Sequence, residues 1–159
     1  MKKDEKTNVM RVLDQKRVEY KAYAYETDGT LTGAEIARLL GLDPAKVFKT
    51  LVTVGKTGQH YVFVIPVEAE LDLKLAAKAA GEKNIEMVKS RELLPLTGYI
   101  HGGCSPIGMK KYFPTYFDIS AEEHDTIVFS AGKIGRQVEL SPSDLCKVIS
   151  FVYAPIAIE

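Results

Sequence analysis

The stretch Val47-Phe48-Lys49-Thr50-Leu51-Val52-Thr53-Val54-Gly55-Lys56-Thr57-Gly58-Gln59-His60-Tyr61-Val62-Phe63-Val64-Ile65 decides the fold. Its two ends are rich in β-branched and aromatic residues, and Gly55 to Gly58 between them reads as a hairpin turn. The first strand alternates. Phe48, Thr50, Val52 and Val54 share one face, and Val47, Lys49, Leu51 and Thr53 the other. The second, Tyr61 to Ile65, is apolar on both faces and reads as a central strand ended by Pro66.

Outward from this hairpin, helices and strands mix without a regular βαβ alternation. Helices are expected at Thr7 to Gln15, from the capping box Thr32-Gly33-Ala34-Glu35 to Gly41, and from Asp72 to Gly81. Further starts fall at Asp43-Pro44, at Ser90 to Leu94 with Pro95 as a stop, and at Ser141-Pro142. Strands are expected at Tyr20 to Tyr25, Ile85 to Val88, Tyr116 to Ile119, Thr126 to Phe129, Gln137 to Leu140 and Phe151 to Ile158. The pattern favours an α+β fold with a mixed, barrel-like β-sheet and packed helices over a Rossmann-type fold.

The chain of 159 residues suits one domain over residues 1–159. With 46% hydrophobic and 26% charged residues, the composition is that of a globular protein and excludes disorder and collagen. Twenty-one basic residues balance 21 acidic ones, which argues against strong autonomous nucleic-acid binding. No apolar run is long enough to span a membrane. The charged start at residues 1–5 is followed by no apolar segment, so no secretory signal is expected. Two cysteines, Cys104 and Cys146, make no disulfide framework, and a reducing cytoplasm is the expected location.

Four stretches invite chemistry. Lys49 stands among apolar neighbours in a strand. It either binds an anion or a carbonyl oxygen, or snorkels to water from an edge. Residues 97–108 hold four glycines and a proline. Within them, His101-Gly102-Gly103-Cys104-Ser105 either lets a ligand approach the backbone or forms a plain turn. Ser105 lacks the G-x-S-x-G setting, and Cys104 with His101 lacks an orienting third group, so neither is read as a nucleophile. Ser130-Ala131-Gly132-Lys133-Ile134-Gly135-Arg136 fails the phosphate-loop pattern and reads as a turn with two cations. Lys110 and Lys111 precede Tyr112 and Phe113, a basic pair that either meets a nucleic acid or is simply solvated. His60, His101 and His124 are scattered, and no metal site is expected.

Three motifs occur in order: Phe48-Lys49-Thr50-Leu51, Tyr99-x-x-Gly102-Gly103-x-Ser105-Pro106-x-Gly108, and Ser130-x-Gly132-Lys133-x-Gly135. Together they resemble the YbaK/EbsC family over nearly the whole chain. The nearest branch is the YbaK-type Cys-tRNA(Pro) deacylases, relatives of the editing domain of prolyl-tRNA synthetases. The resemblance implies a trans-editing deacylase without cofactor or metal. Its substrate thiol would attack the ester, displacing the ribose oxygen. The alternatives are an alanyl-tRNA(Pro) deacylase using water, or a non-catalytic module binding aminoacyl-tRNA or a synthetase.

The resemblance assigns catalysis to Lys49 and Gly102. It assigns substrate binding to Tyr25, Thr50, Gly103, Ser105, Ser130 and Gly132. Under this reading Lys110, Lys111, Lys133 and Arg136 would grip the acceptor end of the tRNA. The implied partner is prolyl-tRNA synthetase in a transient complex, with no membrane. Zero net charge then implies a weak grip, broad in tRNA choice and narrow in amino acid.

Overall fold

A computed structural model describes residues 6–158. The charged start at residues 1–5, on which the missing secretory signal was argued, lies outside the described residues, as does Glu159. The hairpin forms as expected from strands β2, Phe48–Gly55, and β3, His60–Pro66, paired antiparallel with Lys49 opposite Ile65. Upstream stand helix α1 (Asn8–Gln15), strand β1 (Lys21–Ala24) and helix α2 (Gly33–Leu39). Downstream come β4 (Glu70–Leu71), α3 (Leu73–Ala80), β5 (Ile85–Met87), α4 (Ser90–Thr97) and β6 (Thr115–Asp118). The chain continues through β7 (Ile127–Ser130), β8 (Arg136–Leu140), α5 (Pro142–Leu145), β9 (Val152–Ala154) and β10 (Ala157–Ile158).

The strands make a five-stranded sheet in the order β5-β2-β3-β6-β9, a three-stranded sheet β1-β8-β7, and the pair β10-β4. The larger sheet is mixed, because β3–β6 and β6–β9 run parallel while β2–β3 and β2–β5 run antiparallel. It does not close into a barrel. An isolated bridge, from Val47 just before β2 to Val128 of β7, ties it to the smaller sheet.

β3 is buried on both faces, as its apolar run requires. Val62 and Val64 enter the larger core with Phe48, Val52, Phe117, Phe129 and Leu13. Tyr61, Phe63 and Ile65 turn to the other side, against Ala76 and Ala77 of α3. Small alanines let that helix lie close on the sheet. Asp72 caps it through the amides of Lys74 and Leu75, and Gly81 ends it at positive φ.

Two expectations need correction. Pro95 does not stop α4, which runs on to Thr97 and ends at Gly98. The proline removes only the amide that would bond the carbonyl of Arg91, an exposed residue whose carbonyl water can satisfy. The final strand is also not continuous. Pro155 cannot donate to a ladder, and the strand splits there into β9 and β10. The Asp118 carboxylate accepts the next two amides, from Ile156 and Ala157, both at 3.1 Å.

Glu139 of β8 ties β1 and the approach to β2 together. It accepts from Lys46 Nζ at 2.6 Å, Thr126 Oγ1 at 2.5 Å and Tyr23 OH at 2.5 Å. Burial opposes its ionisation, but the bonds from Lys46, Thr126 and Tyr23 outweigh it and hold the carboxyl at about 2. A depressed folded-state pKa stabilises the fold above the unfolded value near 4.5, and the gain is lost as pH falls towards 2. Glu139→Gln should cost about 2 kcal/mol in urea unfolding at pH 7. It should also flatten the loss of stability between pH 4.5 and 2; an unchanged acid limb would contradict this role.

Candidate active site

β5 covers only Thr53 to Gly55 of β2, and the amide of Val88 extends this pairing to the carbonyl of Val52 at 3.2 Å. At the other end, Val47 bridges to Val128. Between these contacts, Thr50 has no ladder partner on the side away from β3. The odd-numbered residues of β2 exchange bonds with β3, as the Val67 amide to Val47 carbonyl and Gly55 amide to Gln59 carbonyl bonds mark at either end. The amide and carbonyl of Thr50 are therefore directed to the open side.

A cavity of about 370 Å³ lies along this gap. Because it sits at an unpaired edge, both faces of β2 reach it. Lys49 belongs to the Leu51 and Ile65 face and Thr50 to the Phe48 and Val52 face, yet both line the wall. The far side is supplied by His101, Gly102, Cys104, Ser130 and Gln137, and an apolar flank by Ile36, Val67, Met87 and Leu93.

The polar groups of the wall differ in readiness. Lys49 is half-buried, and burial lowers its ammonium pKa from the usual value, with the Glu70 carboxylate opposing. Thr50 Oγ1 is buried without a hydrogen-bond partner. Ser130 Oγ accepts from the amide of Gly132 at 3.1 Å, which leaves its own hydrogen to give. Gly102 is the third residue of a turn closed by the Gly103 amide to Ile100 carbonyl bond at 3.0 Å, and its φ of 88° demands glycine. Burial pushes the Cys104 thiol up to about 12, so it stays protonated.

The structure thus brings Lys49, Thr50, Gly102 and Ser130 to one cavity. It places the other expected residues behind or outside the wall. Tyr25 stands behind Gln137, whose Nε2 donates to the Tyr25 hydroxyl at 3.1 Å. Ser105 is buried and takes the amide of Ile107 at 3.3 Å. Gly103 lets the glycine turn approach the backbone of the next loop, because a Cβ there would lie 3.3 Å from the Ile134 nitrogen. A Cβ on Gly132 would meet the Tyr99 ring at 2.9 Å. The second and third sequence motifs therefore pack against each other, and several of their residues serve that contact.

Lys110, Lys111 and Lys133 are exposed, whereas Arg136 is only 2% exposed and offers no surface grip. Of the aromatic pair beside them, Phe113 enters the core and Tyr112 is 68% exposed. Among the described residues no group of three His, Cys, Asp or Glu is placed to hold a metal ion. Among the described residues no helix is long and apolar enough to cross a membrane. Among the polar wall residues that the sequence reading missed are Gln137, Lys89 and Ser90. A signal for the first existed: Gln137 and Glu139 alternate with Val138 and Leu140, a polar face on a buried strand.

The family model described as the aminoacyl-tRNA editing domain matches residues 27–148. The chain belongs to the aminoacyl-tRNA editing domain family. With membership comes the class of activity, aminoacyl-tRNA deacylation, that the three motifs led us to expect. The editing domain is 46% identical over 156 residues to EbsC of Enterococcus faecalis, a proposed Cys-tRNA(Pro)/Cys-tRNA(Cys) deacylase, covering 98% of this chain and 95% of the relative. It also matches part of the proline–tRNA ligase of Pelobacter propionicus, at 27% identity over 100 residues, 63% of this chain and 17% of the ligase. A solved structure of a proposed trans-editing enzyme for prolyl-tRNA synthetase shares the fold, with a TM-score of 0.81 at 22% identity, covering 98% of this chain and 100% of that one.

A protonated, buried Cys104 is a poor nucleophile, because the thiolate is the reactive form. Cys104→Ala should keep deacylation within about threefold of the native rate. Iodoacetamide at pH 7.5 should label the exposed Cys146 and spare Cys104. A hundredfold loss in the variant, or rapid labelling of Cys104, would contradict this account.

Proposed function

We propose that this chain, acting as one editing domain over residues 1–159, removes cysteine mischarged on tRNA(Pro) in the cytoplasm, using the thiol of the substrate itself. The observation that carries the reading is the make-up of the cavity wall. It holds no carboxylate that could serve as general base, and its one thiol is held neutral. Its single histidine, His101, shares no hydrogen bond with a wall hydroxyl among the described residues.

The chemistry then belongs to the substrate. The cysteinyl sulfur, after losing its proton, adds to its own ester carbonyl. The carbon–oxygen bond to the ribose breaks, and the ribose oxygen leaves as a hydroxyl with a proton. The strained thiolactone left behind is opened by water to free cysteine. An intramolecular attack held in register is worth about 7–11 kcal/mol, so the protein has mainly to position. Lys49 meets the negative charge developing on the carbonyl oxygen. Thr50 and Ser130 hold the ribose, Thr50 with its unpartnered hydroxyl and Ser130 with its free hydrogen. The Gly102 carbonyl takes the α-amino group. Tyr25 keeps Gln137 in place from behind, and Gly103, Ser105 and Gly132 hold together the loop that carries Gly102 and the turn that follows Ser130.

Lys110, Lys111 and Lys133 grip the acceptor end. Three exposed lysines give a weak hold, so tRNA identity comes from prolyl-tRNA synthetase in a transient complex. Support for that link comes from the likeness to a proline–tRNA ligase segment.

A deacylation panel of Cys-, Ala- and Ser-tRNA(Pro) tests the reading. Pocket binding alone separates thiol from methyl by about 1–3 kcal/mol. Cysteine should exceed alanine by more than about a thousandfold, beyond that range. Equal rates for alanine and cysteine would favour a water-using alanyl deacylase, and no turnover at high enzyme would favour a binding module. In the same assay Lys49→Ala should lower kcat/KM by about 100-fold or more; full activity would remove Lys49 from the site.

A further inference from the structure

Two lysines from different elements line the cavity, Lys49 on β2 and Lys89 between β5 and α4. Lys49 is half-buried, while Lys89 is exposed and stands at the rim. No aspartate or glutamate lines the wall, and the carboxylate that acts on Lys49, that of Glu70, stands outside it. None of the ion pairs among the described residues involves Lys89.

Lys89 is also an unfavourable choice for its local position. It is the N-cap of α4, where Ser, Thr, Asp or Asn normally accept an orphan amide. An ammonium accepts nothing and is opposed by the positive end of the helix. Glu92 serves the helix start instead, taking the Lys89 amide at 2.9 Å. A residue that breaks a local rule at the mouth of a cavity points to a ligand.

We propose that Lys89 is the second cationic contact that the cavity wall makes with the substrate, and that it binds the phosphate on the 5′ side of the terminal adenosine. This deepens the deacylase reading and rests on it. The ester leaves the ribose on its 2′,3′ side and the polynucleotide on its 5′ side. With the ester at Lys49 and Thr50, the phosphate is directed outward, where the rest of the tRNA must leave the cavity. An inner cation for the reacting carbonyl and an outer one for the phosphate fit that order. A lysine suits the task, since it meets phosphate as a point charge on a flexible stem.

Calorimetric titration with 5′-AMP and with adenosine tests this on the native protein, Lys89→Gln and Lys89→Arg. Native protein should bind 5′-AMP about tenfold tighter than adenosine or more. The gap should close in Lys89→Gln, persist in Lys89→Arg and narrow with added salt, while adenosine binds all three alike. Equal 5′-AMP affinity in native protein and Lys89→Gln, or no native preference for 5′-AMP over adenosine, overturns the proposal. Deacylation of Cys-tRNA(Pro) measured alongside separates the two claims. Lys89-dependent 5′-AMP binding without deacylation defeats the deacylase reading and keeps the phosphate contact. Deacylation with Lys89-independent 5′-AMP binding does the reverse.

Discussion

The site depends on β2 being paired along its whole length on one side and only in part on the other. β3 covers Phe48 to Val54, while β5 reaches only Thr53 to Gly55. Unpaired strand edges are a liability in most proteins, because free amides and carbonyls recruit other strands. Here the gap is short and roofed by the loop carrying Gly102, by the end of β7 at Ser130 and by the approach to α4. It becomes a cavity rather than a sticky edge. The same gap explains how neighbouring residues of opposite orientation, Lys49 and Thr50, serve one site.

The rest of the molecule holds the walls of that gap at a fixed distance. On one wall, β3 is locked by cores on both its faces, so β2 has a rigid support. On the other, β7 and β8 carry Ser130 and Gln137. Glu139, two residues beyond Gln137, binds Lys46 just before β2. The Val47 bridge to Val128 adds a backbone tie between the two sheets. The glycine-rich loop is fixed through Tyr99, whose hydroxyl donates to the Ile107 carbonyl and whose ring lies against Gly132. Preorganisation of this kind suits a protein that has to position a substrate rather than supply a nucleophile.

Much of this was legible in the sequence. The hairpin, the Thr32–Glu35 capping box and the alanine helix followed from period and caps, because those signals are local. Lys49, Thr50, Gly102 and Ser130 were legible only through the ordered motifs, since nothing local shows that strands β2 and β7 share a cavity. Gly103, Ser105 and Gly132 share those motifs for a different reason, the packing of two loops, and a motif does not distinguish contact with ligand from contact between loops. Arg136 read as a surface cation because its burial depends on pairing with β1, which is distant in sequence. Lys89 was invisible because its meaning lies in a cavity wall assembled from seven separate stretches.

Zero net charge and a locally cationic cavity are compatible, because the acidic residues stand elsewhere than in the wall. The central claim is that the open edge at Thr50 is where the aminoacyl ester lies. A crystal structure with 3′-deoxy-3′-(cysteinylamino)adenosine, whose amide resists cleavage, tests it most directly. The account predicts the ribose within hydrogen-bonding distance of Thr50 and Ser130, the carbonyl oxygen facing Lys49, and the α-amino group on the Gly102 carbonyl. An analogue bound away from the Phe48–Val52 edge, or seated there with its carbonyl turned from Lys49, would contradict it.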